Sequence, residues 1–291
     1  MPRTIEEGFR DFNDKLKIVK TESDALKRHR ASIKACLESN FGMNRFFRTG
    51  SIGNGTNVSG YSDTDYFAGI PRSNLTNNST STLRKVKEAL RKRFPTTEGI
   101  HISAPAVVVP FGTAKSETTE IIPADYIKTE HSVNIYEIPD GEGRWMKASP
   151  MAHNRYVTNI NSRLSYKVKP LVRFIKAWKF YRNAPILSFY LEMRVAKYAS
   201  EEKAIIYSID IKNIFKWLLE IQLASMLDPT GVSGHIEPCI SETQKQDALS
   251  KLETAYTRAN NAREAESKHD IKDAFYWWNL VFANQFPSYY Y

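Results

Sequence analysis

Two aspartates, Asp63 and Asp65, stand one residue apart and are followed at once by the apolar run YFAGI (66–70). In a β-strand alternate side chains point to the same face, so a strand here would hold the two carboxylates side by side. Like charges held so close repel each other unless a divalent cation neutralises them. Mg²⁺ is the natural partner, because it binds carboxylate oxygens and bridges them to substrate phosphates. The spacing therefore predicts a metal site, although a bare Asp-x-Asp more often caps a turn.

A third acid on a neighbouring strand would complete such a site. The β-rich segment TEIIPADY (119–126) offers two, Glu120 and Asp125. Three acids can hold two metal ions roughly 3.5 to 4 Å apart, an arrangement that activates an attacking hydroxyl and stabilises a leaving pyrophosphate. The residues alone leave both Glu120 and Asp125 open for this role.

A glycine-rich turn precedes the aspartates, and eleven residues separate its Ser51 from Asp63. Gly50 lets the backbone approach a ligand closely, and the Ser51 hydroxyl can donate to a phosphate. If residues 51–56 open a helix, the N-terminus of that helix favours an anion. The turn is therefore a candidate triphosphate site.

Basic residues outnumber acidic ones, 41 to 32, which gives a net charge of +9. Such a balance favours a polyanionic ligand: a nucleotide triphosphate, a nucleic acid or an anionic surface. Lys169, Arg173 and Lys176 recur at steps of three and four residues, so they share one face of a predicted helix. A shared cationic face can bind phosphate.

The predicted elements change in kind along the chain. The first 40 residues are predicted to be helical, with Ser23 as an N-cap and Gly42 near the helix end. Strands are predicted in RFF (45–47), DYFAGI (65–70), IHISAPAVVVPF (100–111) and TEIIPADYI (119–127), followed by a hairpin of SVNIYEIP (132–139) and GRWMKAS (143–149). Helices are predicted at 80–95, 165–182, 186–199, 208–227, 241–266 and 269–285.

This change predicts an α+β chain of two lobes. Residues 1–155 would form an N-terminal helix and a mixed-sheet lobe, and residues 156–291 a helical lobe on which the first long helix is a candidate to pack. A chain of 291 residues is long enough for this division. It has no apolar stretch near the roughly 20 residues of a membrane helix and no apolar leader after its start, so no membrane contact and a cytoplasmic location are expected.

Three ordered motifs resemble a known family. The block GS…SDTD, the strand EIIPAD (120–125) and the segment KPLVRFIKAWKFYRNAPILSFYLE (169–192) are similar to motifs of the polymerase-β-like nucleotidyltransferases. Among these, the chain resembles the bacterial cGAS/DncV-like enzymes, also called CD-NTases or the SMODS family. The closing FYWWNLVFANQFP (275–287) is also similar to that family. The resemblance implies a polymerase-β-like lobe with a mixed sheet, an α-helical lobe and an active site in the cleft between them.

The resemblance implies roles for the turn and the acids. Gly50 and Ser51 would hold the donor triphosphate, and Asp63 and Asp65 would ligate two Mg²⁺ ions, with Mn²⁺ as an alternative. Glu120 occupies the place of the third acid and metal ligand, where many relatives have the shorter Asp. Asp125 is the fallback for that place.

In the predicted helical lobe the resemblance marks three more residues. Lys176 matches the phosphate-binding lysine, Ser188 a serine that contacts the triphosphate, and Phe189 an aromatic that stacks on the donor base. The alternative for Phe189 is core packing with Leu191 and Val195, which lie at helical spacing from it.

The implied activity is synthesis of a cyclic di- or trinucleotide second messenger from NTPs, in antiviral defence of the CBASS type. Regulatory proteins of the defence operon are the implied partners, and a monomer is expected. Direct activation by DNA is not expected, because cyclic GMP-AMP synthase senses DNA with a zinc element and Cys36 and Cys239 are the chain's only cysteines.

Two other functions fit the same residues. A template-independent nucleotidyltransferase that modifies RNA or protein would use the same acids, and a non-catalytic nucleic-acid-binding protein would need only the positive charge. The NTPs used, the 2′-5′ or 3′-5′ linkage, the ring size and any activator stay open at this point.

Overall fold

The computed structural model describes residues 2–17, 20–61, 63–112 and 117–290. The chain divides into two compact units. The sheet unit consists of Ile18–Arg155 and Thr230–Ser233, and the helical unit of Met1–Lys17, Tyr156–Pro229 and Gly234–Tyr291. The α+β class predicted from the sequence is confirmed.

The sheet unit is built on a mixed sheet. Its main strands are β1 (Arg45–Arg48), β2 (Thr64–Gly69), β3 (His101–Ser103), β4 (Ala106–Phe111) and β5 (Glu117–Glu130), in the spatial order β1-β2-β5-β4-β3. Strands β2 and β5 are parallel, and the other pairs in this order are antiparallel. The predicted hairpin is confirmed as β6 (Val133–Pro139) and β7 (Trp145–Ala148), and β6 pairs with the distal half of β5.

Two helices cover one face of this sheet. Helix α2 (Lys20–Phe41) and helix α4 (Ser79–Arg93) pack their apolar side chains on Tyr66, Ala68 and Ile121. Because strand side chains alternate, Phe67 and Ile122 lie on the opposite face, in a separate apolar cluster. The short helix α3 (Gly50–Asn54) connects β1 to the loop before β2.

The helical unit surrounds an aromatic core. Its helices are α5 (Pro150–Arg163, which begins within the sheet unit), α6 (Val168–Tyr181), α7 (Ser188–Glu201), α8 (Tyr207–Glu220), α9 (Glu242–Ser267) and α10 (Ile271–Val281), together with α1 (Ile5–Leu16). Phe9 and Phe12 of α1 are buried against Phe174, Phe282 and Phe286. Helix α1 is thus an integral part of this core.

Two helix boundaries predicted from the sequence differ most from the structure. The first helix begins at Ile5, because Thr4 and Glu7 form a reciprocal capping box; Ser23 lies inside α2 and is no N-cap. The end of α2 at Gly42 is confirmed: Gly42 adopts a φ of 59° and donates its N–H to the Glu38 carbonyl.

The second wrong boundary is the end of α8, which stops at Glu220 and does not continue to residue 227. Gln222 and Leu223 adopt positive φ, which ends the helix. A small hairpin of β8 (Met226–Leu227) and β9 (His235–Ile236) follows. None of the described helices is long and apolar enough to cross a membrane.

Candidate active site

Asp65 and Glu120 are direct neighbours across the parallel pair β2 and β5. Both belong to the face that carries Phe67 and Ile122, opposite the face covered by α2 and α4. Asp63 comes immediately before β2 and is exposed. The structure therefore brings Asp63, Asp65 and Glu120 together at the start of two adjacent strands.

The three carboxyl groups repel one another. Burial, the negative charges of Asp65 and Asp63, and a hydrogen bond with Asp65 raise the pKa of Glu120 to about 8. Without a bound divalent cation, Glu120 therefore keeps its proton near neutral pH and shares it with Asp65. A positive charge between these groups would remove the repulsion and favour the ionised form.

Gly50 lies against Asp65 more closely than any other residue type would allow. Gly50 has a φ of 57°, and a Cβ atom built on it would lie 1.7 Å from Asp65 Oδ2. The Thr49 N–H also donates to the Asp65 carbonyl at 2.8 Å. The glycine turn is therefore fixed against the strand that carries the acids.

Ser51 is the second residue of α3, directly after Gly50. Gly53 of the same helix lies close to β1, since a Cβ there would be 3.0 Å from the Arg48 carbonyl oxygen. The contact of Gly50 with Asp65 places the N-terminus of α3 beside that acid, and the contact of Gly53 places the helix against β1.

Asp125 is not part of this group of acids. It lies five residues beyond Glu120 on β5, opposite Glu137 of β6, and strand alternation puts it on the other face of the sheet. Burial raises the pKa of Asp125, while Arg72 works in the opposite direction. Of the two candidates left open by the sequence, Glu120 is the one beside Asp65.

The acids fit a divalent cation that shares its coordination with a substrate. Among the described residues, no group of three or more His, Cys, Asp or Glu side chains converges tightly enough to enclose a metal ion. Mg²⁺ seldom uses such an all-protein cage, because it keeps waters and substrate phosphates in its octahedral shell. The carboxylate oxygens of Asp63, Asp65 and Glu120 and their mutual repulsion suit a divalent cation that completes its shell with substrate oxygens.

Lys176 lies in the core of the helical unit. It is 1% exposed, and its ammonium lies 3.4 Å from the carboxylate of Glu192 on α7, which is buried too. Arg173, on the same face of α6, is also buried and donates to Asn13 of α1. The predicted cationic face of α6 is thus largely buried, and phosphate binding by Lys176 stays a prediction.

Sequence reasoning missed Lys179, one helical turn beyond Lys176. Its ammonium donates to Ser188 Oγ at 3.1 Å, at the first residue of α7. Phe189 is 41% exposed, whereas Leu191 and Val195 are fully buried. Phe189 therefore does not pack in the core with them, which was the alternative to base stacking. Lys179, Ser188 and Phe189 therefore form one half-exposed group at the N-terminus of α7.

The signal for Lys179 was present in KAWKF (176–180), where two lysines are three residues apart. Either lysine could have matched the motif. Only the contact between α6 and α7 shows which of them lies beside Ser188.

A glycine turn lies against the acid of one strand, a second acid stands just before that strand, and a third is in register on the parallel neighbour. This is the arrangement expected of a polymerase-β-type nucleotidyltransferase. The family model described as Second Messenger Oligonucleotide or Dinucleotide Synthetase domain, SMODS, matches residues 3–161. The chain belongs to this SMODS family.

A curated relative from Bacillus cereus (strain VD146), named "Probable cyclic nucleotide synthase", is 29% identical over 175 residues, which are 58% of this chain and 51% of that protein. The chain thus spans about half the length of the curated relatives it matches.

Solved structures confirm the fold. CdnC from E. coli MS115-1, solved with ATP, is 18% identical with a TM-score of 0.73, over 97% of this chain and 98% of that one. The same CdnC has been solved in a complex with HORMA-deltaN. Vibrio cholerae DncV cyclic AMP-GMP synthase, solved with the linear intermediate 5′ pppA(3′,5′)pG, is 14% identical with a TM-score of 0.78, over 99% and 97%.

Proposed function

We propose that this chain is a nucleotidyltransferase that joins NTPs into a cyclic di- or trinucleotide second messenger. The observation that carries the proposal is the register of Asp65 with Glu120, beside Asp63 and backed by Gly50. Membership of the SMODS family and the name of the Bacillus cereus relative support the same activity.

In each transfer, the ribose hydroxyl of one nucleotide attacks the α-phosphorus of another. A new P–O bond forms, the bond to the β-phosphate oxygen breaks and pyrophosphate leaves; a further transfer closes the ring. Divalent cations bound at these carboxylates would lower the pKa of the hydroxyl and stabilise the leaving pyrophosphate. Asp63, Asp65 and Glu120 would hold these cations, and ionised Glu120 would take the proton of the attacking hydroxyl.

The other site residues bind and orient the donor. Gly50 and Ser51 present backbone N–H groups and a hydroxyl to the triphosphate, and Lys179, which donates to Ser188, offers a cationic contact. Phe189 is exposed enough to stack on a base. We keep Lys176 as a proposed phosphate ligand, to be tested against Lys179.

The biological setting is part of the proposal. The complex of CdnC with HORMA-deltaN supports a regulatory protein partner for this chain as well, in defence of the CBASS type. The ATP of the CdnC structure and the pppA(3′,5′)pG intermediate of DncV support NTP substrates. We propose that no DNA is needed for activity.

The test is a labelling assay with the full chain. Purified protein is incubated with Mg²⁺ and all four NTPs, one of them α-³²P-labelled at a time, and the products are treated with phosphatase and separated. We expect a phosphatase-resistant small product in the wild type, none in Asp63→Ala or Glu120→Gln, and a normal yield in Asp125→Asn. The last variant is the matched control, since it removes an acid from the same strand but from the other face.

Other outcomes would redirect or end the proposal. Label on RNA or protein, when either is added, would favour the alternative nucleotidyltransferase. Full product yield in Asp63→Ala would contradict the assignment of the acids. Salt-sensitive binding of nucleic acid, with no turnover even after cell extract is added, would favour a non-catalytic binding protein.

A further inference from the structure

Helices α2 and α4 leave an open cavity of about 420 Å³ between them. The cavity belongs to the sheet unit and lies between the two helices that cover the face opposite Asp65 and Glu120. It is therefore separate from the candidate active site. Its volume is within the usual range of small-molecule sites, about 300 to 1,000 Å³.

Small side chains create this space. Ala35 and Cys36 of α2 and Ala89 of α4 line the cavity, and larger residues at these positions would fill it. Cys36 is buried, and its thiol contacts the Ala89 carbonyl at 3.6 Å. The inner wall is consequently apolar, with one thiol.

Two cations lie at the edge of the cavity. Lys92 and Arg93 line it from the last turn of α4, and within the part of the chain that the structure describes neither forms an ion pair. The acids nearby are already paired: Glu38 with Lys34 at 2.8 Å, and Glu88 with Lys87 and Arg91. Lys92 and Arg93 therefore keep their charges available for an external anion.

The positive charge of Arg93 acts on the Cys36 thiol in the inner wall of the cavity. Burial raises the pKa of the Cys36 thiol, and the Arg93 guanidinium works in the opposite direction. Ser39 and Asn40 line the same cavity, and both donate to the Cys36 carbonyl, at 3.1 and 2.8 Å. The cavity thus combines an apolar wall, a cationic edge and fixed polar groups.

We propose that this cavity binds a small organic anion, whose phosphate or carboxylate head lies beside Lys92 and Arg93 and whose apolar body contacts Ala35, Cys36 and Ala89. Both heads match the planar guanidinium of Arg, so the two chemistries are distinguished by experiment. The inference is independent of the reaction proposed for the acids on the other face.

Cys36 provides the readout. In the full chain with Cys239→Ser, the remaining thiol is Cys36, and its alkylation by iodoacetamide is measured with and without a probe. The probes are phenyl phosphate, phenylacetate and inorganic phosphate. We expect phenyl phosphate or phenylacetate to slow alkylation, and the probe that protects better shows whether the bound head group is a phosphate or a carboxylate. Inorganic phosphate should protect much less, since it lacks the apolar body.

Charge and volume are then changed separately. Lys92→Ala/Arg93→Ala should lower the affinity of the protein for the protecting probe about tenfold or more, as expected for lost charge-assisted hydrogen bonds. Arg84→Ala/Lys85→Ala, which removes two exposed cations of the same helix outside the cavity, should leave protection unchanged. Ala89→Leu should abolish probe binding, measured by calorimetry, with both cations present.

Comparison of rates with and without probe within each variant removes the direct effect of Arg93 on the thiol. Protection that survives Lys92→Ala/Arg93→Ala, or no protection by either organic probe, would overturn the proposal. Equal protection by inorganic phosphate would also overturn it, because the apolar wall would then contribute nothing.

Discussion

At the scale of single residues, Gly50 determines where the acids can lie. Its φ of 57° and its contact with Asp65 exclude a side chain. We expect Gly50→Ala to push the Asp65 carboxylate away and lower kcat/KM at least about 100-fold, because a misplacement of about 1 Å can cost that much. The assay is NTP turnover at saturating Mg²⁺.

Gly60→Ala is the matched control for backbone strain. Gly60 has a φ of 75°, and a Cβ there would meet nothing within 4 Å. The left-handed alanine should cost each variant about 1 to 2 kcal/mol of stability, and Gly50→Ala should lose more because its Cβ also meets Asp65. Equal loss of activity in the two would contradict a steric role for Gly50.

Lys179 is the second prediction at this scale. Its half-buried ammonium donates to Ser188 beside the exposed Phe189, and we propose that it binds the triphosphate. We expect Lys179→Met to raise the KM for NTP about tenfold, as for loss of one charged hydrogen bond, with the melting temperature nearly unchanged. An unchanged KM would exclude Lys179 from the donor site.

At the scale of elements, α6 and α7 are joined by a buried ion pair of Lys176 and Glu192. Removal of one partner leaves a buried charge, so Lys176→Met should destabilise the chain by about 3 to 5 kcal/mol. The double variant Lys176→Met/Glu192→Leu should recover most of this loss. Urea unfolding of both variants measures it.

The double variant also tests the family role of Lys176. A stable Lys176→Met/Glu192→Leu protein that has lost affinity for NTP would support phosphate binding by Lys176. A stable protein with normal KM would assign Lys176 to packing alone.

How far the elements could be predicted depended on whether their signals are local. The strands around the glycine turn are confirmed because alternation and turn residues fix them, and the capping box of Thr4 and Glu7 was readable but was overlooked. The end of α8 depends on positive φ at Gln222 and Leu223, which no residue type there requires. The depth of Lys176 depends on α7, a contact made only in the folded chain.

At the scale of the whole molecule, the α+β class followed from the change in pattern along the chain. The sequence also supplied the third acid, but only as a choice between Glu120 and Asp125. The parallel pairing of β2 with β5 decides which of them lies beside Asp65. Pairing of distant strands depends on the global fold, so local patterns could not decide it.

The stability of the whole chain should respond to pH through Glu120. Its pKa is raised from 4.5 to about 8, so between these values the folded chain binds a proton that the unfolded chain has lost. Without divalent metal, the free energy of unfolding should therefore fall as pH rises through this window. Glu120→Gln cannot ionise, so in EDTA it should melt a few °C above the wild type at alkaline pH and at the same temperature near pH ~4.

Mg²⁺ should reverse the order of the melting temperatures of the wild type and Glu120→Gln at alkaline pH. Binding between the ionised acids stabilises the folded wild type, so Mg²⁺ should raise its melting temperature at alkaline pH more than that of Glu120→Gln. Glu130→Gln, which neutralises an exposed acid on the same strand, should behave like the wild type in both conditions. If instead Glu120→Gln and the wild type lost stability in parallel as pH rose, the repulsion would not come from Glu120, and the three acids would not form one electrostatic unit.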